Sequence, residues 1–156
     1  MQIRTCTQDD IQKVRNFVSQ CKPLGVHTGY TYWVLFHNFN ETCFVMEEEG
    51  RIVGYVSGMK SSTFHDVFFV WQIGVAEEMR GKGYSYLLLQ KVLEAAKKMS
   101  CTKLQMSLEE KDGASFHLIN GFANKHNLNI SIVGEARYPH SVNETMYQDT
   151  LYEIAI

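Results

Sequence analysis

Residues 70–94, VWQIGVAEEMRGKGYSYLLLQKVLE, run from an apolar segment through a short polar turn into a helix pattern. The segment from Asp66 to Val75 is β-branched and aromatic throughout, which predicts a central strand buried on both faces. From Gly83 to Lys98 leucines and alanines recur at helical spacing, and Lys97-Lys98 close the run where cations suit a helix C-terminus. Between them stands Arg80-Gly81-Lys82-Gly83. A strand that feeds a helix through so short a turn calls for an α/β domain, with the helix packed back on the sheet.

The turn also has chemical content. A helix N-terminus exposes about four unpaired N–H groups and carries roughly half a positive charge. Glycines just ahead of it let the main chain approach a ligand closely. The amides from Gly81 through Lys82, Gly83 and Tyr84 to Ser85, with the cations of Arg80 and Lys82, therefore form a candidate cradle for a diphosphate. On spacing alone the two glycines serve equally well simply to turn the chain. Neither the P-loop nor the dinucleotide fingerprint fits, since Tyr86 stands where the third glycine of the latter would fall.

The remaining elements follow in order. QIRTC alternates as a strand, and Thr7 is placed to cap a helix through Val18, with Asp9 and Asp10 in its first turn. Pro23 and Gly25 break the chain before an aromatic helix, GYTYWVLFHNF. CFVMEE and RIVGYVSGMK, joined by Glu49-Gly50, predict a β-hairpin. KLQMSL predicts a strand, and Asp112 a cap for a helix to about Asn124. LNISIVGEA and DTLYEIAI alternate as strands, with residues 137–148 as a loop or long connection. The order β-α-α-β-β-β-α-β-α-β-β implies a mixed sheet with helices on both faces.

With 156 residues and 45% hydrophobic content, the chain suits one domain, residues 1–156. Its 15 Lys plus Arg against 17 Asp plus Glu leave a formal charge of −2, which gives no basic face for nucleic acid. No apolar run approaches the ~20 residues that span a bilayer. The opening Met1-Gln2-Ile3-Arg4 has no signal-peptide core, so a cytoplasmic location is expected. The 4 cysteines are scattered and read as reduced thiols, and the 6 histidines show no ligand spacing, so no metal is expected.

Arg80-Gly81-Lys82-Gly83-Tyr84-Ser85 resembles the coenzyme A-binding motif of the GCN5-related N-acetyltransferases, which follows their fourth strand. That motif is Arg or Gln, two residues, Gly, one residue, then Gly or Ala; Ser85 replaces the last small residue. The resemblance implies their fold: a mixed sheet of about seven strands flanked by helices, splayed between strands 4 and 5. It also implies acetyl-coenzyme A as co-substrate. The donors would be main-chain groups of Ile73, Gly74 and Val75 for the thioester and pantetheine, and residues 80–85 for the diphosphate.

Residues 24–90 are similar in more detail to the diaminobutyrate acetyltransferases of ectoine synthesis. The shared marks are Tyr30 and Tyr32; Phe39, Thr42, Val45 and Glu47; Gly50 to Ser57; and FVWQIGV from Phe69 to Val75. By this resemblance a small primary amine, diaminobutyrate, is the acceptor. Tyr30, Tyr32, Trp33 and Trp71 would wall its pocket, Trp71, Tyr32 and Asp149 would serve catalysis, and Asp149 would contact an ammonium. A homodimer is implied as well. The chain departs from those enzymes at Gly25, where they carry Asp, and at Met146, where they carry His. His27, Glu47, Glu109 and Asp149 remain to take up the missing contacts. Ile119 stands where many family members place a tyrosine that protonates the leaving thiolate.

Overall fold

The computed structural model describes residues 1–109, 113–139, 142 and 145–156. Asp112, the expected helix cap, lies outside them. Strands are β1 (Gln2–Thr5), β2 (Cys43–Glu48), β3 (Arg51–Lys60), β4 (Val67–Val75), β5 (Lys103–Leu108), β6 (Ile130–Pro139) and β7 (Met146–Ala155). Helices are α1 (Ile11–Gln20), α2 (Gly29–Asn38), α3 (Tyr84–Lys98) and α4 (Ala114–Lys125). The strands form one sheet in the order β1-β2-β3-β4-β5-β7-β6, in which β4 and β5 are the parallel pair and the other neighbours are antiparallel.

Each face of the sheet is covered. α3 and α4 bring Leu88, Leu89, Val92, Ile119 and Phe122 onto Phe68, Val70, Leu104, Met106 and Ile154. α1 and α2 bring Val14, Val18, Tyr32, Leu35 and Phe36 onto Cys6, Cys43, Val45 and Tyr55 on the other face. α1 starts later than its capping residue suggests, because Gln8–Asp10 form a 3-10 turn first. The Asp10 carboxylate accepts from the Thr7 N–H at 2.8 Å and from Arg4 Nη1 and Nη2 at 2.7 and 2.8 Å. These bonds to Arg4 hold the Asp10 carboxyl down at about 2. Arg4 also reaches Glu47 Oε2 at 2.8 Å, so Glu47 ties β1 to β2 and is spent on structure.

The β2–β3 hairpin turns through Glu49 (φ 49°) and Gly50 (φ 78°), the pair of left-handed residues that a two-residue turn between twisted strands requires. The second hairpin is longer than its sequence suggests. β6 and β7 stay paired out to Tyr138↔Tyr147 and Pro139↔Met146, with the two tyrosine rings stacked at 6.1 Å. Pro139 is tolerated because β6 is an edge strand and no ladder donor is missed.

One irregularity shapes the middle of the sheet. Ser57 pairs with Gln72, but Gly58 pairs with Val70, so Trp71 is an extra residue opposite β3. Such a bulge bends its strand and reverses which side chains face which layer. Before it Phe68 and Val70 join the core under α3; after it Ile73 and Val75 do. Gly58 is required beside the bulge, since a Cβ there would lie 2.4 Å from Phe68 Cε1 and 2.8 Å from the Phe69 carbonyl oxygen. β4 and β5 pair only from Val67↔Lys103 to Phe69↔Gln105 and then diverge, while β5 stays with β7 as far as Leu108↔Thr150. β4 is therefore not buried on both faces to its end: Trp71 is 40% exposed, and Ile73 and Gly74 are half-buried. A strand that has lost one neighbour turns that edge to open space.

Candidate active site

The gap between β4 and β5 holds a cavity of about 570 Å³. Its walls come from the α1–α2 connection (Pro23, Leu24, Gly25, His27), from β4 (Trp71, Gln72, Ile73) and from the end of β5 with Glu109. The first turn of α4, Ile119, Tyr138 of β6 and Asp149 of β7 complete it. The Ala76 N–H donates to the Val53 carbonyl at 2.9 Å. Donor direction alternates along a strand, so Gly74 also turns to β3, while the N–H groups of Ile73 and Val75 turn to the open side. Gly74 is thus not a donor to the gap. It is a close approach: a Cβ at this position would lie 2.6 Å from Cys21 Sγ and 2.8 Å from Leu24 Cδ1.

Beyond Val75 the chain makes a 3-10 turn, Glu77–Met79, and then the glycine turn. Gly81 (φ 72°) and Gly83 (φ 81°) are left-handed, with nothing among the described residues within 4 Å of a Cβ at either, so backbone conformation and not space selects glycine. Gly83 caps α3, and its carbonyl takes the N–H of Tyr86 and Leu87 at 3.1 and 3.3 Å. The N–H groups of Gly81, Lys82, Gly83, Tyr84 and Ser85 find no acceptor among the described residues. Arg80 Nη2 lies 3.4 Å from the Lys22 carbonyl oxygen, beside the linker that walls the cavity. The result is a row of directed donors at the positive end of a 15-residue helix.

On the opposite side of the cavity Asp149 is 6% exposed. The Tyr138 hydroxyl donates to its Oδ2 at 3.0 Å, and Oδ1 is buried without a partner among the described residues. A buried carboxylate oxygen with nothing to accept from is costly unless a donor, best a cation, comes to it. Burial and the adjacent Asp149 push the Tyr138 hydroxyl up, so it stays protonated and donates. Glu109 stands exposed at the rim.

The aromatic residues divide. Trp71 lines the cavity and packs against the His27 ring at 4.8 Å between centroids. Tyr32 does not line it: the residue is fully buried in the α1–α2 core, and its hydroxyl donates to Gln72 Oε1 at 3.4 Å. Burial raises its phenol. Gln72 in turn donates from Nε2 to the Gly25 carbonyl at 2.8 Å, so Tyr32 supports the wall from behind. Tyr30 is 74% exposed and stacks on Trp33, which stacks on His37, along the outer face of α2. Neither Tyr30 nor Trp33 reaches the cavity. Met146 is exposed at the start of β7 and lies outside the lining too. Gln72 and Tyr138 are wall residues that residue pattern alone did not single out. Gln72 sits inside the FVWQIGV segment, but nothing in that segment shows a bulge that turns it toward Gly25.

The parallel pair thus opens beside a bulge and is followed by a glycine turn and a helix. The chain matches the Acetyltransferase (GNAT) family over residues 11–122, and it belongs to that family. It is 36% identical over 124 residues to the L-2,4-diaminobutyric acid acetyltransferase of Chromohalobacter salexigens, covering 79% of this chain and 65% of that one. It is 33% identical, with the same coverage, to the enzyme of that name from Halomonas elongata. The matched stretch thus spans about two thirds of these relatives' length. Among solved structures, the diaminobutyrate acetyltransferase of Paenibacillus lautus, in complex with L-2,4-diaminobutyric acid and coenzyme A, aligns with a TM-score of 0.86 at 25% identity. That alignment covers 99% of this chain and 93% of the other. The ribosomal-protein-alanine N-acetyltransferase of Brucella melitensis shares the fold, with a TM-score of 0.76 at 18% identity over both full chains.

Among the described residues no three His, Cys, Asp or Glu side chains gather to hold a metal ion, and no helix is long and apolar enough to cross a membrane.

Proposed function

We propose that the protein is an acetyl-coenzyme A-dependent N-acetyltransferase that acylates a primary amine of a small molecule, with L-2,4-diaminobutyrate as acceptor. One observation carries this reading: a single cavity opens where β4 leaves β5, with an outward-turned main-chain donor, that of Ile73, on one wall and an unpaired buried carboxylate oxygen of Asp149 on another. The first suits a thioester carbonyl and the second an ammonium group. The relatives named for diaminobutyrate, and the Paenibacillus lautus neighbour that binds it, support the choice of amine.

The roles follow from placement. The N–H groups from Gly81 to Ser85, with Arg80 and Lys82, hold the diphosphate; each charge-assisted bond of this kind is worth roughly 1.5–3 kcal/mol. Val75 and Ile73 present donors along the pantetheine arm and the thioester. Trp71 walls the acceptor side and excludes water, Asp149 fixes one ammonium, and Tyr32 holds Gln72 in place. Juxtaposition of two reactants supplies up to ~7–11 kcal/mol of the barrier, so most of the catalysis is positioning. An amine of pKa about 10.4 is some three units from its neutral form at pH 7, which costs about 4 kcal/mol that burial must help to recover.

The same reading makes the protein a cytoplasmic homodimer without nucleic-acid or membrane partners. Four unpaired thiols and the exposed edge strand β6, with Ile132 and Val133 outward, are in keeping with it. Light scattering on a sizing column reads the dimer directly.

A second reading, a coenzyme-binding sensor without turnover, draws on Ile119, which puts an apolar side chain in the cavity wall and no hydroxyl. Thiol release measured over a panel of amines separates the two. Transfer is supported by release with diaminobutyrate among the best acceptors. Coenzyme binding by calorimetry without release for any amine supports the sensor. Release with other amines and not with diaminobutyrate keeps the enzyme and rejects its substrate.

A further inference from the structure

His27 carries chemistry that the roles above do not use. It sits in the α1–α2 connection with its ring against Trp71, and it lines the cavity. Nε2 is buried, and neither ring nitrogen makes a hydrogen bond among the described residues. Several polar side chains near it are already engaged. Tyr32 is turned to Gln72, Gln72 to Gly25, and Tyr138 to Asp149. Trp71, which the ring packs against, and Ile73, which carries the outward donor, are two residues apart on one strand, about 6–7 Å along it, and both line the cavity with His27.

We infer that His27 Nε2 is the proton shuttle of the acyl transfer, taking the proton that the attacking nitrogen sheds and handing it to the departing sulfur. This rests on the transferase reading. The amine, entering neutral, bonds through its nitrogen lone pair to the thioester carbonyl carbon, whose π pair moves onto oxygen; the nitrogen is then cationic, and the Nε2 lone pair accepts one of its N–H protons. The oxygen pair re-forms the carbonyl as the carbon–sulfur bond breaks with its electron pair on sulfur, and the imidazolium returns the proton there, leaving an amide and a free thiol. No further reactant is needed. Burial lowers the imidazole below its ordinary 6.5, so the ring enters the cycle neutral at pH 7. The same shift makes its cation a stronger acid than a thiol of pKa ~8.5, so the second transfer runs downhill. That accounts for a site with Ile119 where a hydroxyl acid would stand.

The ionisable groups around the ring are few. Arg15 Nε on α1 lies 3.4 Å from the His27 carbonyl, Tyr32 on α2 has its ring 6.0 Å away, and Asp149, Tyr138 and Glu109 share the cavity. None of these groups is removed by changing His27.

The test uses the whole protein with acetyl-coenzyme A and diaminobutyrate. H27Q is expected to lower kcat by about 10²–10⁴-fold while the coenzyme Kd from calorimetry stays within twofold. The wild-type kcat/KM profile is expected to fall below pH 6.5 and to lose that limb in H27Q. Added imidazole is expected to restore part of the rate of H27A. H27Q with kcat within threefold of wild type overturns the assignment. So does a slower H27Q that keeps the acid limb, with an H27A that imidazole does not help, because His27 then only shapes the wall. If the transferase reading itself is wrong, wild type releases no thiol with any amine, an outcome that appears before His27 is changed and removes the shuttle with it.

Discussion

Tyr138 and Asp149 face each other diagonally across the β6–β7 ladder, and the tyrosine hydroxyl occupies one carboxylate oxygen at 3.0 Å while the other is buried and unpaired among the described residues. One oxygen is held by the tyrosine, and the other is left for a donor beside the cavity that Asp149 lines. D149N removes that charge at nearly constant shape. The expected result is a KM for diaminobutyrate raised about 10–100-fold, as a charge-assisted bond of roughly 1.5–3 kcal/mol implies, with coenzyme Kd unchanged. Y138F is expected to have a smaller effect in the same direction. Steady-state kinetics with both substrates varied check it, and an unchanged amine KM in D149N counts against the contact.

Gly25 gives a complementary gain-of-function experiment. It lines the cavity at the position where the resemblance to the diaminobutyrate enzymes implies an Asp, and a Cβ added there meets nothing within 4 Å among the described residues. G25D is therefore expected to fold as wild type and to lower the KM for diaminobutyrate several-fold, with little effect on monoamines. Improvement for monoamines alone would mean that the second ammonium does not lie at this wall.

Much of the fold is legible in local pattern, and the reasons differ by element. Glu49-Gly50 announces its hairpin because the turn demands left-handed residues at that spot. The glycine turn is legible for the same reason. α2 is the counter-example: Tyr30, Tyr32, Trp33, Val34, Leu35 and Phe36 put apolar side chains all round the helix, so periodicity could not tell the buried Tyr32 from the exposed Tyr30. The Trp71 bulge is invisible because it depends on Gly58 of another strand giving space to the Phe68 ring. Tyr138 fell in an expected loop because Pro139 reads as a break until β6 is known to be an edge.

Gly74 joins fold to site. The contacts that a methyl would make with Cys21 and Leu24 imply a G74A cost of about 1–3 kcal/mol by overpacking, and a displaced α1–α2 connection. The double variant C21A/G74A is expected to recover part of that loss, since contacting residues are not additive. Denaturant melts of the four proteins in the cycle measure it. Strict additivity would show that the Cys21–Gly74 contact is not what limits the position.

Asp10 sets an acid edge to stability. Its carboxyl is lowered from 3.8 to about 2 by Arg4, so the folded state holds the ionised form better than the unfolded chain does. That contribution is complete above about pH 4 and is lost as pH falls through about 2. Thermal melts of wild type and D10N are expected to differ most at neutral pH and to converge between pH 4 and 2. A gap that is constant across that window contradicts the role given to the Arg4–Asp10 pair.

The most direct measurement is a crystal structure of the protein with coenzyme A. The diphosphate oxygens are expected at about 3 Å from the N–H groups of Gly81 to Ser85. The pantetheine arm is expected to run along the open edge of β4 past Val75 and Ile73 toward the cavity that Asp149 lines. A diphosphate bound elsewhere, or those N–H groups turned to acceptors of the chain itself, would contradict this placement.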